Sequence, residues 1–299
     1  MTTTASTPRI VGEAFRARRS PARRLVMLIR RYPGGVFGIS LLAVVLFVAL
    51  FAGQLTDKSP LSVDPINRLS PPMPGHPFGT DNFGRDVYAR TLYGARTSLL
   101  AGFGVAIVAL LGGIVFGLLA GYYRRLDTVL MRIMDAVMAF PGIILAIGIV
   151  AARGPSLTNV IIALGFIFIP RVARVVRSIV LAVREYQFVE AARTLGASDV
   201  RILLRHVLPN AWSVVAIQGT FIFAEGVLGE ATLSFLGVGP PPEFPSWGNI
   251  LGEARLYIRE APWLMFLPGL ALTLTVLSLN LIGDAVRDAL DPRSRRRVA

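Results

Sequence analysis

Cysteine is absent from the 299 residues, and histidine occurs only twice. Without thiols there is no disulfide, no thiolate metal site and no cysteine nucleophile. His76 and His206 lie far apart in sequence, which argues against a histidine metal centre. Lysine is scarcer still. Lys58 is the single one, in Thr56-Asp57-Lys58-Ser59-Pro60, and every other basic residue is arginine. A nucleotide-binding P-loop needs Gly-x-x-x-x-Gly-Lys-Ser/Thr, because its lysine reaches the terminal phosphates. Lys58 lacks both glycines, so any ATP-driven step falls to a partner chain. Charge is thin as well: 16% of residues are Asp, Glu, Lys or Arg, against 54% hydrophobic, which points to an integral membrane protein. The formal net charge of +13 does not indicate nucleic acid, because the arginines gather at the ends of apolar segments, as topology signals do.

What is present divides the chain into apolar stretches and charged connections. Residues 1–35 form an Arg-rich tail expected to be disordered or to lie on the membrane surface. Residues 36–53 are a first apolar segment, read as an uncleaved anchor rather than a signal peptide, since the basic leader is long and more spans follow. Residues 54–96 are polar, rich in Pro, Gly and Asp, and expected outside the membrane. Residues 97–123 carry no charge and predict a transmembrane helix, in which Gly113, Gly117 and Gly121 recur every four positions. Such a stripe lets a neighbouring backbone approach closely, unless the glycines are merely scattered. A third span is expected over Ala136–Ala152 with a kink at Pro141-Gly142, and a fourth from Leu157 through Pro170. Arg171, Arg174 and Arg177 share a helical face, expected where that helix leaves the lipid. A fifth span covers Trp212–Phe235 and a sixth Leu264–Gly283; between them Trp247 and Trp263 read as interface anchors.

The fold class is therefore all-α: a polytopic membrane protein with six transmembrane helices, one N-terminal anchor helix and a five-helix core over residues 97–284. A loop over 184–209 interrupts the core, and a tail follows over 285–299. With both termini on one side, that side and its loops hold 23 of the 31 Lys and Arg residues. The positive-inside rule then places both termini, and the 184–209 loop, in the cytoplasm.

That loop contains Glu185-Tyr-Gln-Phe-Val-Glu-Ala-Ala-Arg-Thr-Leu-Gly196 and runs on to Asn210. Read as helix, it sets Phe188, Ala191, Ala192 and Leu195 along one broad side, with Glu185, Arg193 and Arg184 elsewhere. Gly196 suits a helix C-terminus, where φ turns positive, and Ser198 suits the N-cap of a second short helix. Two short helices on the inner membrane surface follow. The alanines leave a low flank that fits either a groove in another protein or the lipid surface.

The spacing Glu190-Ala191-Ala192, three residues, Gly196, then Leu208-Pro209 resembles the EAA motif of binding-protein-dependent ABC importer permeases. His206-Val-Leu-Pro-Asn210 resembles the peptide-importer branch, where the general pattern has an apolar residue at the histidine. The stretches 76–99, 230–251 and 283–293 are similar to segments of the C-type subunit of dipeptide/oligopeptide/nickel permeases, so the resemblance covers about nine tenths of the chain. It implies a non-enzymatic permease of a bacterial cytoplasmic membrane, with no cofactor of its own. It also implies a second homologous permease, two ATPase subunits carrying ATP and Mg, and an extracytoplasmic solute-binding protein. By the same resemblance the loop is a coupling helix that docks into the ATPase, with Glu190, Ala191, Ala192, Arg193, Leu195 and Gly196 as docking residues. The cargo is peptide or a related small solute.

Glu225 and Glu230 fall within the fifth span. Ionisable groups there face a cavity or a partner, so they are candidates for the translocation path, with helix packing the alternative. Asp81, Arg85, Asp86 and Arg90 alternate in sign outside the membrane and are expected to pair with one another, the partner permease or a binding protein rather than to catalyse. The rival reading is an ATPase-independent secondary transporter or channel, whose spans should show paired charges or inverted repeats. Neither is evident in the sequence.

Overall fold

The computed structural model describes residues 32–290; the two basic ends, and with them the expected cytoplasmic placement of the tails, lie outside the described residues. The compact unit described below is Gly34–Ala299. Its secondary structure among the described residues is helical, with two isolated bridges, Met73–His76 and Thr80–Asp86.

Helix α1 spans Pro33–Leu55. Helix α2, Val87–Tyr122, begins ten residues before the charge-free window because Asp86 caps it, its carboxylate accepting from the Ala89 amide at 2.7 Å. The uncharged stretch marked only part of the helix, since its first ten residues carry Arg90, paired to Asp81 and Glu253, and Arg96, which donates to the Ala49 and Leu50 carbonyls. The expected third span is a broken pair. The amphipathic α3, Arg124–Met138, meets α4, Gly142–Arg153, at 90°. Pro141 lacks an amide donor and disfavours helical geometry at Phe140, so the kink becomes a corner. Twelve residues make α4 about 18 Å long, well short of a bilayer core. Helix α5, Leu157–Val183, continues through Pro170 as expected. The loop after α5 then forms α6, Gln187–Thr194, and α7, Asp199–Ile202. Helix α7 is not a separate surface helix: it passes through a π-helical turn, Leu203–Val207, directly into α8, Leu208–Phe235. The loop after α8 holds α9, Trp247–Ala254, before α10, Trp263–Leu290. Among the described residues five helices are long and apolar enough to cross a membrane, or six if the bent pair counts as one span.

The main packing seam joins α2 to α5. A β-carbon on Gly117 would meet Val176 Cβ at 2.6 Å, and one on Gly121 would meet Val180 Cβ at 2.6 Å. The glycine stripe is thus a fitted groove for the valine ridge Val172, Val176 and Val180, all buried. Trp247, expected as an interface anchor, is instead a core residue. It is 1% exposed and its indole N–H donates to the Thr91 carbonyl at 3.0 Å. An indole this enclosed is held by packing and one hydrogen bond rather than by the headgroup layer.

Candidate functional site

The loop between α5 and α8 is built around one turn. Ala197 N–H donates to the Ala192 carbonyl and Gly196 N–H to that of Arg193, both at 3.0 Å, with Gly196 at φ +80°. These two bonds are the Schellman pattern, which closes α6 and requires a left-handed residue at Gly196. Ser198 stands at the N-cap position of α7, but its hydroxyl makes no capping bond. The side of α6 bearing Phe188, Ala191 and Leu195 faces outward. Leu195 is 87% exposed, and Glu190, Ala191, Arg193 and Gly196 are exposed with it, while Ala192 is half-buried. Val189 anchors the helix. It is fully buried in the cluster that includes Ile202, Leu203 and Val207, a burial worth about 1.5–3 kcal/mol. Phe188, Leu195, Val200 and Leu204 form a sparse apolar surface around the turn.

Tyr122, at the C-terminal end of α2, ties this loop to the transmembrane part. Its hydroxyl donates to Asp199 Oδ1 at 2.7 Å and accepts from Arg193 Nη2 at 3.4 Å. Arg184 donates to the Gly121 carbonyl at 3.0 Å. The hydrogen bond to Tyr122 first, and the charges of Asp199 and Glu190 after it, hold Arg193 above the usual guanidinium value. A cleft of about 370 Å³ opens between these parts, lined by Tyr122, Arg184, Glu185, Glu190 and Arg193.

The two carboxylates of the fifth span differ. Glu230 is 0% exposed, enclosed by α2, α8 and α9; Ser98 donates to Oε2 at 3.2 Å and Ser234 to Oε1 at 2.6 Å. It reaches no surface of this chain. Glu225 instead meets Arg171 Nη1 at 2.6 and 2.8 Å, with side chains 39% and 43% exposed. Two further rungs follow along α5, Arg174 to Asp135 at 2.6 Å and Arg177 to Asp127 at 2.5 and 2.6 Å. The arginine face therefore does not simply mark the lipid exit, and the spans do carry paired charge. Sequence spacing exposed the arginines; their partners sit on α8 and α3, which no local pattern connects.

The alternating cluster before α2 pairs largely as expected. Asp81 accepts from Arg85 Nε at 2.7 Å and also from Arg90, which is fully buried. Asp86 accepts from His76 Nδ1 at 2.8 Å. Glu253, on α9, is the member that sequence reading missed: it accepts from Arg85 Nη2 at 2.5 Å and from Arg90 Nη1 at 2.7 Å. Among the described residues no group of three His, Cys, Asp or Glu side chains is placed to hold a metal ion.

The family described as binding-protein-dependent transport system inner membrane component matches residues 113–296. A protein of Brucella abortus, provisionally named a peptide transport system permease, is 50% identical over 272 residues, which cover 91% of this chain and 90% of the relative. A dipeptide transport system permease of Alkalihalophilus pseudofirmus is 42% identical over 277 residues, covering 92% and 91%. A glutathione transport system permease of Pectobacterium atrosepticum is 41% identical over 261 residues, covering 87% and 85%.

Proposed function

This chain belongs to the binding-protein-dependent transport system inner membrane component family, and from that premise we propose how it works within an ATP-driven importer of peptides. The chain is a membrane permease subunit and not itself an enzyme. Relatives named for dipeptide, di/tripeptide and glutathione transport support short peptides as cargo. In the complex it pairs with a second, homologous permease. Two ATPase subunits, carrying ATP and Mg, sit on the cytoplasmic side with both termini, and a solute-binding protein delivers cargo from outside.

The observation that carries the coupling assignment is the α6 turn. It presents Glu190, Ala191, Arg193, Leu195 and Gly196 to the outside while Val189 roots it in the core. A helix anchored on one side and bare on the other suits insertion into a partner's cleft. Closure of the ATPase pair on ATP pushes α6, and the Tyr122–Asp199 and Arg193–Tyr122 contacts pass that displacement to α2. Because α7 runs on into α8 without a break, the same displacement reaches the fifth span directly. Rigid elements with few joints transmit motion that a flexible loop would absorb.

A self-sufficient carrier would also fit the paired charges on α5, but family membership weighs against it. A mild-detergent pull-down from the native host, with wild type beside Gly196→Val, tests the proposal. Recovery of a second permease and ATPase subunits, with the ATPase lost in the variant, is the expected result. A chain that comes down alone, where a known importer stays intact, overturns it.

A further inference from the structure

The depth of the Arg171–Glu225 pair is its distinctive property. Arg171 stands 14 residues from the start of α5 at Leu157 and 12 from its end at Val183, or about 21 and 18 Å along the axis. Glu225 stands 10 residues from Phe235 and 17 from Leu208, or about 15 and 25 Å. Both side chains therefore sit within the depth of a hydrocarbon core about 30 Å thick, yet each keeps roughly two fifths of its surface exposed. An ion pair cannot present that surface to acyl chains without a large penalty, so it faces water or another protein.

The surroundings favour water. Only Nη1 of the guanidinium is engaged, and its other two nitrogens make no hydrogen bond among the described residues. A planar fork with free donors is prepared for a second carboxylate. The exposed face of α5 also changes character at this point. Towards Leu157 it shows Ile162 and Phe166; towards Val183 it shows Arg174 and Ser178. Polar lining thus begins at Arg171 and runs to Ser178, five residues before the end of the helix at Val183.

We infer that Arg171 and Glu225 form a charged station in the translocation path, the guanidinium receiving the carboxylate and Glu225 the ammonium group of a zwitterionic solute such as a short peptide. The pair keeps the station neutral while it is empty, and a solute with both termini free replaces each partner with an equivalent one. Arg174, paired to Asp135 and 45% exposed, is the next cation along the path. This inference rests on the importer reading above.

The chain's lack of cysteine supplies the first test. In the assembled complex, Glu225→Cys and Ser178→Cys are treated with a membrane-impermeant cationic thiosulfonate in inside-out vesicles, with Leu111→Cys, an exposed apolar position on α2, as the lipid-facing control. Mass spectrometry of this chain should find both test positions modified and the control spared. An unmodified thiol in the Glu225→Cys variant overturns the inference and assigns the face to the partner permease or lipid. The second test uses ATP-driven dipeptide uptake. Arg171→Gln, Glu225→Gln and the doubly neutral Arg171→Gln/Glu225→Gln should each lower uptake at least tenfold. The double variant, having no unpaired charge, should match wild type in melting temperature and in the ATPase subunits it retains. Uptake restored to the wild-type rate in the double variant would mean the pair only clamps α5 to α8. Failure of the importer reading looks different: the wild-type complex itself would show no ATP-driven uptake, while the thiol labelling would still report on access.

Discussion

Tyr122 and Asp199 meet at 2.7 Å, joining the last residue of α2 to the first of α7. Arg193, on the proposed docking helix α6, donates to the same hydroxyl at 3.4 Å, so both short helices touch the helix that forms the main packing seam. Tyr122→Phe removes the donor and keeps the ring edge-to-face with Tyr123 and under Arg193. The expected outcome is a complex that assembles normally and hydrolyses ATP but imports several-fold less solute per ATP. Simultaneous measurement of ATP hydrolysis and uptake in proteoliposomes decides the point. An unchanged ratio would show that this contact does not carry the motion.

At Gly196 the restriction is conformational rather than steric. The residue has φ +80°, and nothing lies within 4 Å of where a β-carbon would be. An L-residue pays about 1–2 kcal/mol in this region, and asparagine less than valine. Gly196→Val should therefore lose ATPase association, while Gly196→Asn retains most of it. Equal losses in the two variants would instead locate the problem in the bulk of any side chain at the docking surface. Co-purification ratios measured by quantitative gel densitometry separate the cases.

The α2–α5 seam has little room to give. In Gly117→Val the new side chain meets Val176 and the Ala173 carbonyl, the latter at 2.8 Å from the β-carbon alone. Overpacking of this kind costs about 1–3 kcal/mol, sometimes more. Gly148→Ala is the matched control, because nothing lies within 4 Å of its β-carbon position. Thermal unfolding in detergent should show a clear drop for the first variant and no drop for the second.

Glu253 holds two arginines, one of them fully buried. Truncation to alanine leaves Arg85 and Arg90 sharing Asp81 alone. Breaking a buried pair from one side typically costs about 3–5 kcal/mol, and partial exposure of Glu253 brings the expectation to about 2–3 kcal/mol. Glu253→Gln keeps the hydrogen-bond acceptor and should lose less. The measurement is the melting temperature together with protease sensitivity of the segment 56–86 that precedes α2. Wild-type behaviour in Glu253→Ala would mean that Asp81 suffices.

Much of the architecture was legible because a bilayer is a demanding solvent. Long apolar runs with arginines at their ends determine the crossing helices at Pro33–Leu55, Val87–Tyr122, Leu157–Val183 and Trp263–Leu290 to within a turn or two, apart from the early start of α2. The turn at Gly196 was legible too, since glycine after a helix reports a backbone requirement directly. Local sequence also placed Asp81, Arg85 and Arg90 in one cluster, because they lie within ten residues of one another.

What only the tertiary structure decided are relations between distant residues. Glu225 and Glu230 look alike in sequence, five residues apart on one apolar helix, yet one is enclosed by Ser98 and Ser234 and the other stands half-exposed against Arg171. Trp247 and Trp263 looked like membrane-interface residues until α9 folded back and buried the first against α2. The glycine stripe on α2 acquired meaning only opposite the valine ridge of α5. Hydropathy and backbone geometry act on each residue where it stands, so the sequence alone determines spans and turns. Charge pairing and close packing depend on which helix becomes a neighbour, and that is settled only when the whole bundle assembles.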